Sequence, residues 1–358
     1  MSGGLLVSVV VPTRDAGRTI EACLRSVRAQ TRGDLELIVI DNRSADATRA
    51  VAERLADLVL EGGPERSAQR NLGIAHARGE WVLYVDADME LASDVVERAL
   101  EVAAATGAGG VAIPEESVGP GFWARCRALE RRCQRGDPSL LGPRLVRTEY
   151  LRATGGFALW LTGTEDAELR SRMLADGIRV AEAPALILHH EGRLSLTGLV
   201  RKRYYYGKGI LAYRRAHPGA IGAQVRAVLR ATWRGRRLLA ADPAAAAGML
   251  VLRGCELAAY LAGAVAGARQ ASSRATTSAS SASASSRYRS RARTETVEGP
   301  PGSPADPNAT AERPRATGKK SSLRAPGTAR RPTLETSSES EKRPASGSSR
   351  RPRRGDHT

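Results

Sequence analysis

Two carboxylates, Asp86 and Asp88, close an apolar run, Trp81-Val82-Leu83-Tyr84-Val85. In an extended segment side chains repeat their direction every second residue, so this spacing puts both carboxylates on one side of the chain. Held together they repel, and each raises the other's pKa unless a cation sits between them. A divalent metal, Mg²⁺ or Mn²⁺, meets that need. It takes these oxygens along with those of a diphosphate and neutralises charge on a departing nucleoside diphosphate. A solvated strand-to-helix turn also carries Asp-x-Asp, so the pair has to be weighed with its surroundings.

Those surroundings are polar at the same structural position. In open α/β sheets ligands bind at the carboxyl ends of the strands. The run over residues 7–11 ends in Pro12, Thr13, Arg14 and Asp15, and the run over 35–40 ends in Asp41 and Asn42. Further along stand Glu165 and Asp166, at the start of a helical stretch, and His189 and His190, closing a strand. A basic stretch over 201–209, rich in Arg, Lys and Tyr, is suited either to a diphosphate or to an anionic membrane surface.

Positioning these groups requires an α/β scaffold. Strands are predicted over 7–11, 35–40, 58–60, 81–85 and 109–113. Helices are predicted over 19–30, 44–56 with Ser44 as N-cap, 69–77 and 93–105. The alternation predicts a Rossmann-like, mixed but mostly parallel sheet flanked by helices. Beyond 114 the regularity weakens. Residues 119–137 read as a cover over a groove, 144–150 and 178–181 as strands, 165–176 as a helix, and 196–216 as basic helix. An apolar segment over 244–268 is interrupted by Arg253 and Glu256, each costly at a bilayer centre. It reads as an amphipathic helix lying on a membrane or on the domain.

The 358 residues carry a formal net charge of +17, but +11 of it lies in residues 269–358, where 19 Lys and Arg stand against 8 Asp and Glu. That stretch is Ser-, Ala-, Arg- and Pro-rich with almost no large apolar residues, the composition of a disordered tail. It suits loose attraction to polyanions, not base readout, so no specific nucleic-acid partner is expected. The four cysteines lack zinc-ligand spacing, and the amino terminus reads as a strand and not as a secretory signal. Both features point to a cytoplasmic active site, at most peripheral to the inner face of the plasma membrane.

The order and spacing of Ser8-Val9-Val10-Val11-Pro12-Thr13-Arg14-Asp15, Ile38-Val39-Ile40-Asp41-Asn42-Arg43-Ser44, Arg70-Asn71-Leu72-Gly73-Ile74 and Gly79-Glu80-Trp81-Val82-Leu83-Tyr84-Val85-Asp86-Ala87-Asp88 resembles the family 2 glycosyltransferases over residues 7 to about 190. The resemblance implies a GT-A fold and transfer of a sugar with inversion at the anomeric carbon. The donor is a nucleotide-diphosphate sugar, a UDP-sugar before GDP-mannose, and the acceptor is a saccharide, a lipid-linked saccharide or a small molecule.

It further implies that Pro12, Thr13, Arg14 and Asp15 contact the nucleoside, that Asp41 bonds the base, and that Arg70 lies near the diphosphate. Asp86 contacts the donor's ribose or sugar, and Asp88 holds the metal together with His190, His189 being the alternative. Asp166 is the implied base, with Glu165 orienting base or acceptor. Bland rivals stand beside these roles: Asp41 as a cap, Arg70 as a solvated helix residue, and Glu165-Asp166 as ordinary acids in a helix's first turn.

The implied organisation is a GT-A domain over 1–217, with a nucleotide half at 1–114 and an acceptor half at 115–217. A C-terminal helical segment over 218–268 and the tail over 269–358 follow. The Gln-x-x-Arg-Trp motif of processive synthases is absent, which favours transfer of one sugar. No Gly-x-Gly-x-x-Gly follows the first strand, against a dehydrogenase. Two other readings remain, a metal-dependent phosphatase and a polyanion binder acting through the tail.

Overall fold

The computed structural model describes residues 7–161 and 163–294, and the side chains of these up to residue 269. The remainder of the expected tail, 295–358, and Thr162 lie outside the described residues.

The nucleotide half follows the predicted alternation. Strands β1 (Val7–Thr13), β2 (Leu35–Asp41), β3 (Leu58–Glu61) and β4 (Trp81–Tyr84) are parallel neighbours in the order β3-β2-β1-β4. β1 is buried along its whole length because parallel strands lie on both sides of it and helices cover both faces, which accounts for its four valines, Val7, Val9, Val10 and Val11. Its side chains divide by parity. Val7, Val9 and Val11 enter one core with Leu37, Val39 and Leu83, whereas Val10 enters the other with Ile38, Ile40 and Val82.

Helices α1 (Ile20–Arg28) and α2 (Thr48–Leu55) link these strands, and Ile20, Cys23, Leu24 and Val27 form the buried stripe of α1. Helix α3 (Arg66–His76) lies on the opposite face, close to β1. A Cβ on Gly73 would stand 2.4 Å from Val10 Cγ1, so only glycine permits this approach. Gln69 then donates from Nε2 to the carbonyls of Thr13 at 3.0 Å and Ile40 at 2.8 Å, fastening α3 to the ends of β1 and β2.

A short strand β5 (Met89–Leu91) and helix α4 (Val95–Thr106) follow, then β6 (Gly110–Ala112), β7 (Glu115–Val118), helix α5 (Phe122–Gln134), β8 (Pro143–Arg147) and helix α6 (Thr148–Ala153). Helix α7 (Glu165–Ala175), β9 (Val180–Glu182) and β10 (Ile187–His190) come next. β8 runs antiparallel to both β4 and β6, so the seven-stranded sheet is mixed, in the order β3-β2-β1-β4-β8-β6-β9. β5, β10 and β7 form a separate three-stranded sheet. The strand expected over 144–150 stops at Arg147, and α6 takes the rest.

The basic helix expected over 196–216 is broken around Lys208 and Gly209 into α8 (Leu196–Gly207) and α9 (Ile210–Ala216). Helices α10 (Ala220–Arg234), α11 (Arg236–Ala241) and α12 (Pro243–Thr294) follow. α12 continues past the boundary read at 269, since no Gly or Pro interrupts residues 269–294. It packs on α5 through Cys126, Leu129, Cys133, Ala245 and Met249. It also crosses α8 at backbone contact, where a Cβ on Gly263 would stand 2.1 Å from the Tyr204 carbonyl oxygen.

Candidate active site

The carboxyl ends of β1 and β4, the amino-terminal ends of α3 and α7, the end of β10 and one face of α8 enclose a cleft of about 1130 Å³. Pro12, Thr13, Arg14 and Asp15 line it, with Asp86 and Asp88, Glu165, His189 and His190. Asp15 adopts a left-handed φ of 48°, which a non-glycine residue holds only when its partners fix it. Its amide donates to Ser44 Oγ at 2.9 Å and its Oδ1 accepts from the Ala45 amide at 2.8 Å. Ser44 is therefore a brace for the cleft loop, and α2 begins at Thr48, beyond the N-cap expected at Ser44.

Asp86 and Asp88 do not act as a matched pair. Asp86 turns into the interior, toward Arg70 at 3.0 Å, Arg66 at 3.7 Å and Arg144 at 4.0 Å. Burial alone would raise its pKa, but the three guanidinium groups outweigh burial and hold the carboxyl far below its usual range. The cation that resolves its charge is arginine.

Arg70, expected from the resemblance to lie near the diphosphate, is wholly buried and outside the cleft lining. Its guanidinium lies over the rings of Tyr84 and Phe157, at 4.6 and 4.9 Å from their centroids, and donates from Nη1 to Asp166 Oδ1 at 2.8 Å. One side chain thus ties the acid after β4 to the acid that opens α7. Asn71, next in sequence, closes the same joint: its Oδ1 accepts from the Phe157 amide at 2.7 Å and its Nδ2 donates to the Phe157 carbonyl at 2.9 Å. Arg66, one turn earlier on α3, takes the place foreseen for Arg70, on the cleft wall with its side chain 44% exposed.

Asp88 is more exposed and faces His189, with Oδ2 3.3 Å from Nε2. The other ring nitrogen, Nδ1, lies 3.2 Å from Glu115 Oε2. Burial opposes protonation of His189, but Asp88 and Glu115 on either side push its pKa up to about 9. His190, the histidine favoured from the sequence, meets Asp88 through the backbone, its amide donating to the Asp88 carbonyl at 2.7 Å, while its ring Nε2 lies 3.0 Å from Glu90 Oε2. The preference therefore passes to His189.

Among the described residues no group of three or more His, Cys, Asp or Glu gathers as a ligand cluster. Asp88 and His189 are donors of the type that would hold a divalent ion. Glu115 stands behind the imidazole, where a carboxylate would orient a metal-binding histidine. Glu115 is in turn held by Arg131 at 2.6 Å and by Arg144, so alternating acids and bases run from Asp166 through Arg70, Asp86, Arg144, Glu115 and His189 to Asp88.

Glu165 and Asp166 occupy different environments. Glu165 is buried against the cleft, Arg70 stands 3.7 Å away, and its Oε2 has no hydrogen-bond partner. Burial first, then the charge of Asp166, raises its pKa. Asp166 is not among the cleft-lining residues; its side chain is 36% exposed, and Arg70 holds its Oδ1. Asp41, expected from the resemblance to bond the base and read alternatively as a cap, is buried and accepts from Ser44 Oγ at 2.5 Å and from the Ser44 amide at 3.1 Å, bonds that cap the turn.

The sequence reading missed Arg18, Arg66 and Arg193, which with Arg14 and Lys202 bring five cationic side chains to the cleft. Lys202 sits in the basic stretch at 201–209, and that stretch was the available signal for it. Arg193 and Arg18 lie in loops with no patterning of their own.

Residues 8–159 match the family model "Glycosyl transferase family 2". Succinoglycan biosynthesis protein ExoA of Rhizobium meliloti is 27% identical over 223 residues, 56% of this chain and 68% of that protein. Putative glycosyltransferase EpsH of Bacillus subtilis is 33% identical over 103 residues, 27% of this chain and 30% of that protein. Among solved structures, the mannosyltransferase PcManGT of Pyrobaculum calidifontis, in complex with GDP-Man and Mn²⁺, superposes with a TM-score of 0.51. That match has 22% identity over 73% of this chain and 86% of that one, and it speaks to the fold. Through residues 8–159 the chain belongs to glycosyl transferase family 2, and it carries a glycosyltransferase domain on the GT-A fold.

Proposed function

We propose that the protein is an inverting glycosyltransferase that moves one sugar from a nucleotide-diphosphate sugar, a UDP-sugar before GDP-mannose, to a hydroxyl acceptor. The observation that carries this reading is the cleft itself, where five cations and the Asp88–His189 pair converge beside the Glu165–Asp166 acids.

In this reading Pro12, Thr13, Arg14 and Asp15 bind the nucleoside, while Arg66, Arg193 and Lys202 meet the diphosphate. A divalent cation, Mn²⁺ or Mg²⁺, is held by Asp88 and His189 and supplies charge neutralisation to the leaving group when bound. Asp166, oriented by Arg70 and open to solvent, takes the proton of the acceptor hydroxyl as that oxygen bonds to the anomeric carbon. The bond from that carbon to the diphosphate oxygen breaks, and the nucleoside diphosphate leaves with its electron pair. Glu165, raised in pKa and lacking a partner for Oε2, is suited to hydrogen-bond the acceptor or the donor sugar. Asp86 stays charged and fixes Arg66 and Arg70, a positioning role in place of the donor contact read from the sequence.

Similarity to a succinoglycan biosynthesis protein supports an envelope or extracellular glycan as the acceptor class, and in this reading catalysis takes place at the cytoplasmic side of the plasma membrane. The test is a panel of nucleotide sugars assayed for hydrolysis with Mn²⁺ and with Mg²⁺, since slow donor hydrolysis needs no acceptor. One donor should be cleaved in a metal-dependent manner, and Asp88→Asn should abolish that dependence. Undiminished metal-dependent turnover in Asp88→Asn overturns the site.

A further inference from the structure

The polarity of α12 is inverted. Over Pro243–Arg269 the helix is long and apolar enough to cross a membrane, yet only one side of it is covered by the protein. Its outward row is Leu250, Val251, Leu257, Leu261 and Val265, which the 3.6-residue period places on one side of the helix, each more than half exposed. The two charges, Arg253 and Glu256, which argued against a membrane span, are paired with α5 and α8. Glu256 is 3% exposed and bonded to Arg127, and it pairs with Arg253 at 3.0 Å and Arg203 at 3.2 Å. Each charge is neutralised against α5 or α8, so neither meets whatever covers the outer row.

A second apolar row stands on α10, which also packs on α5. Val225, Leu229 and Trp233 are exposed there, Trp233 at 71%, and the Arg236 guanidinium lies 5.2 Å from its ring centroid. Over residues 220–269 seven arginines face two acids. Both acids are already engaged, Glu256 as described and Asp242 with Arg125 at 2.6 Å. Arg226, Arg230, Arg236, Arg237 and Arg269 are exposed around the two rows.

We infer that α10 and α12 lie in the interface of an anionic membrane, with the two apolar rows immersed and the arginines on the headgroups. Interfacial helices have this arrangement, an apolar face bordered by cations with Trp at the boundary. Contact with α5 and α8 along its other side keeps α12 at the surface, where a spanning helix would have to leave the domain. Charge selects the occupant. An anionic headgroup layer complements the arginine border, whereas a second copy of the chain would bring the same positive border against it. α8 joins this surface to the chemistry, since Gly207 touches the Tyr260 backbone of α12 while Lys202, Tyr205 and Tyr206 line the cleft.

The experiment is flotation of the full chain with vesicles of phosphatidylcholine alone and of phosphatidylcholine with about one third phosphatidylglycerol, at low salt and at about 0.5 M NaCl. Attraction through the basic tail is screened by the salt, and immersion of apolar side chains is not. The full chain should float with the anionic vesicles at both salt concentrations. L250E/L257E/L261E should lower the high-salt partition by about tenfold or more while donor hydrolysis and the circular dichroism spectrum persist. Brominated lipid should quench Trp233 in the unaltered chain, with Trp233→Phe giving the background of the other tryptophans, so one readout does not depend on the triple variant. Three results would overturn the proposal: equal flotation of the triple variant, loss of all wild-type flotation at high salt, or a stable vesicle-free dimer that the triple variant dissociates.

Discussion

Arg70, wholly buried, donates from Nη2 across 3.0 Å to Oδ1 of Asp86, whose side chain is 17% exposed at the cleft. A buried ion pair contributes modestly as a pair, yet removing one partner leaves a stranded charge and costs about 3–5 kcal/mol. Arg70→Met should therefore lower thermal stability by about that amount, measured by denaturant unfolding. It should also cut donor turnover by far more than any loss of folded protein explains, because Asp166 loses its orienting partner as well. Arg70→Lys keeps the charge but not the fork, and it should rescue stability better than activity.

Separate outcomes are expected for the two histidines. His189→Ala should raise the Mn²⁺ concentration needed for half-maximal donor hydrolysis by about 10–100-fold, with Glu115→Gln producing a smaller shift of the same sign. His190→Ala, which breaks only the contact to Glu90, should leave the metal titration close to wild type.

For the acids that open α7, Asp166→Asn should reduce sugar transfer by about 10²–10⁴-fold with little change in donor binding. Glu165→Gln should retain more transfer. If the order of the two reverses, Glu165 is the base and Asp166 the group that holds Arg70 in place.

Acid stability follows from the same interior charges. Burial opposes ionisation of Glu115, but Arg144, Arg131 and His189 outweigh it and hold its carboxyl well below the usual range; Asp86 is held likewise by its arginines. A carboxylate whose folded pKa is lowered favours the folded state above its ordinary value, about 4, and loses that contribution as pH falls through the folded value. Glu165 runs the opposite way, adding nothing below its ordinary value and destabilising as pH rises through it. The melting temperature should fall as pH drops below about 4 and go on falling toward the lowered values, and the slope should be shallower in Glu115→Gln.

The strand–helix alternation, the cleft and its acids were legible because each rests on local pattern: apolar runs closed by polar residues at the carboxyl ends of parallel strands. What was not legible depends on partners distant in sequence. Arg70 reads as one more helix cation until β4 and α7 are brought to its two ends, 16 and 96 residues away. Asp41 could be a base contact or a cap, and only the path of residues 42–44 decides for the cap.

The choice between the histidines turned on parity. His189 shares a face with the fully buried Ile187, but the neighbours Leu186 and Leu188 are equally apolar in sequence, so no alternation marks the inner side. The register with β5 and β7, two short strands that carry little signal alone, settles it. In α12 the composition was read correctly as apolar with two charges, while the direction of those charges required the helices packed behind it.

The approach of α3 to β1 at Gly73 bears on attempts to change what the cleft accepts. Arg66, Gln69 and Arg70 are borne on one rigid rod whose height above the sheet is set by a hydrogen atom in place of a methyl group. Exchanging side chains one at a time along that rod alters single contacts, whereas any bulk at Gly73 lifts all three together. For engineered selectivity, position 73 is a coarse control to leave fixed, and the loops carrying Arg18 and Arg193 are where diversity can be introduced without moving the catalytic acids.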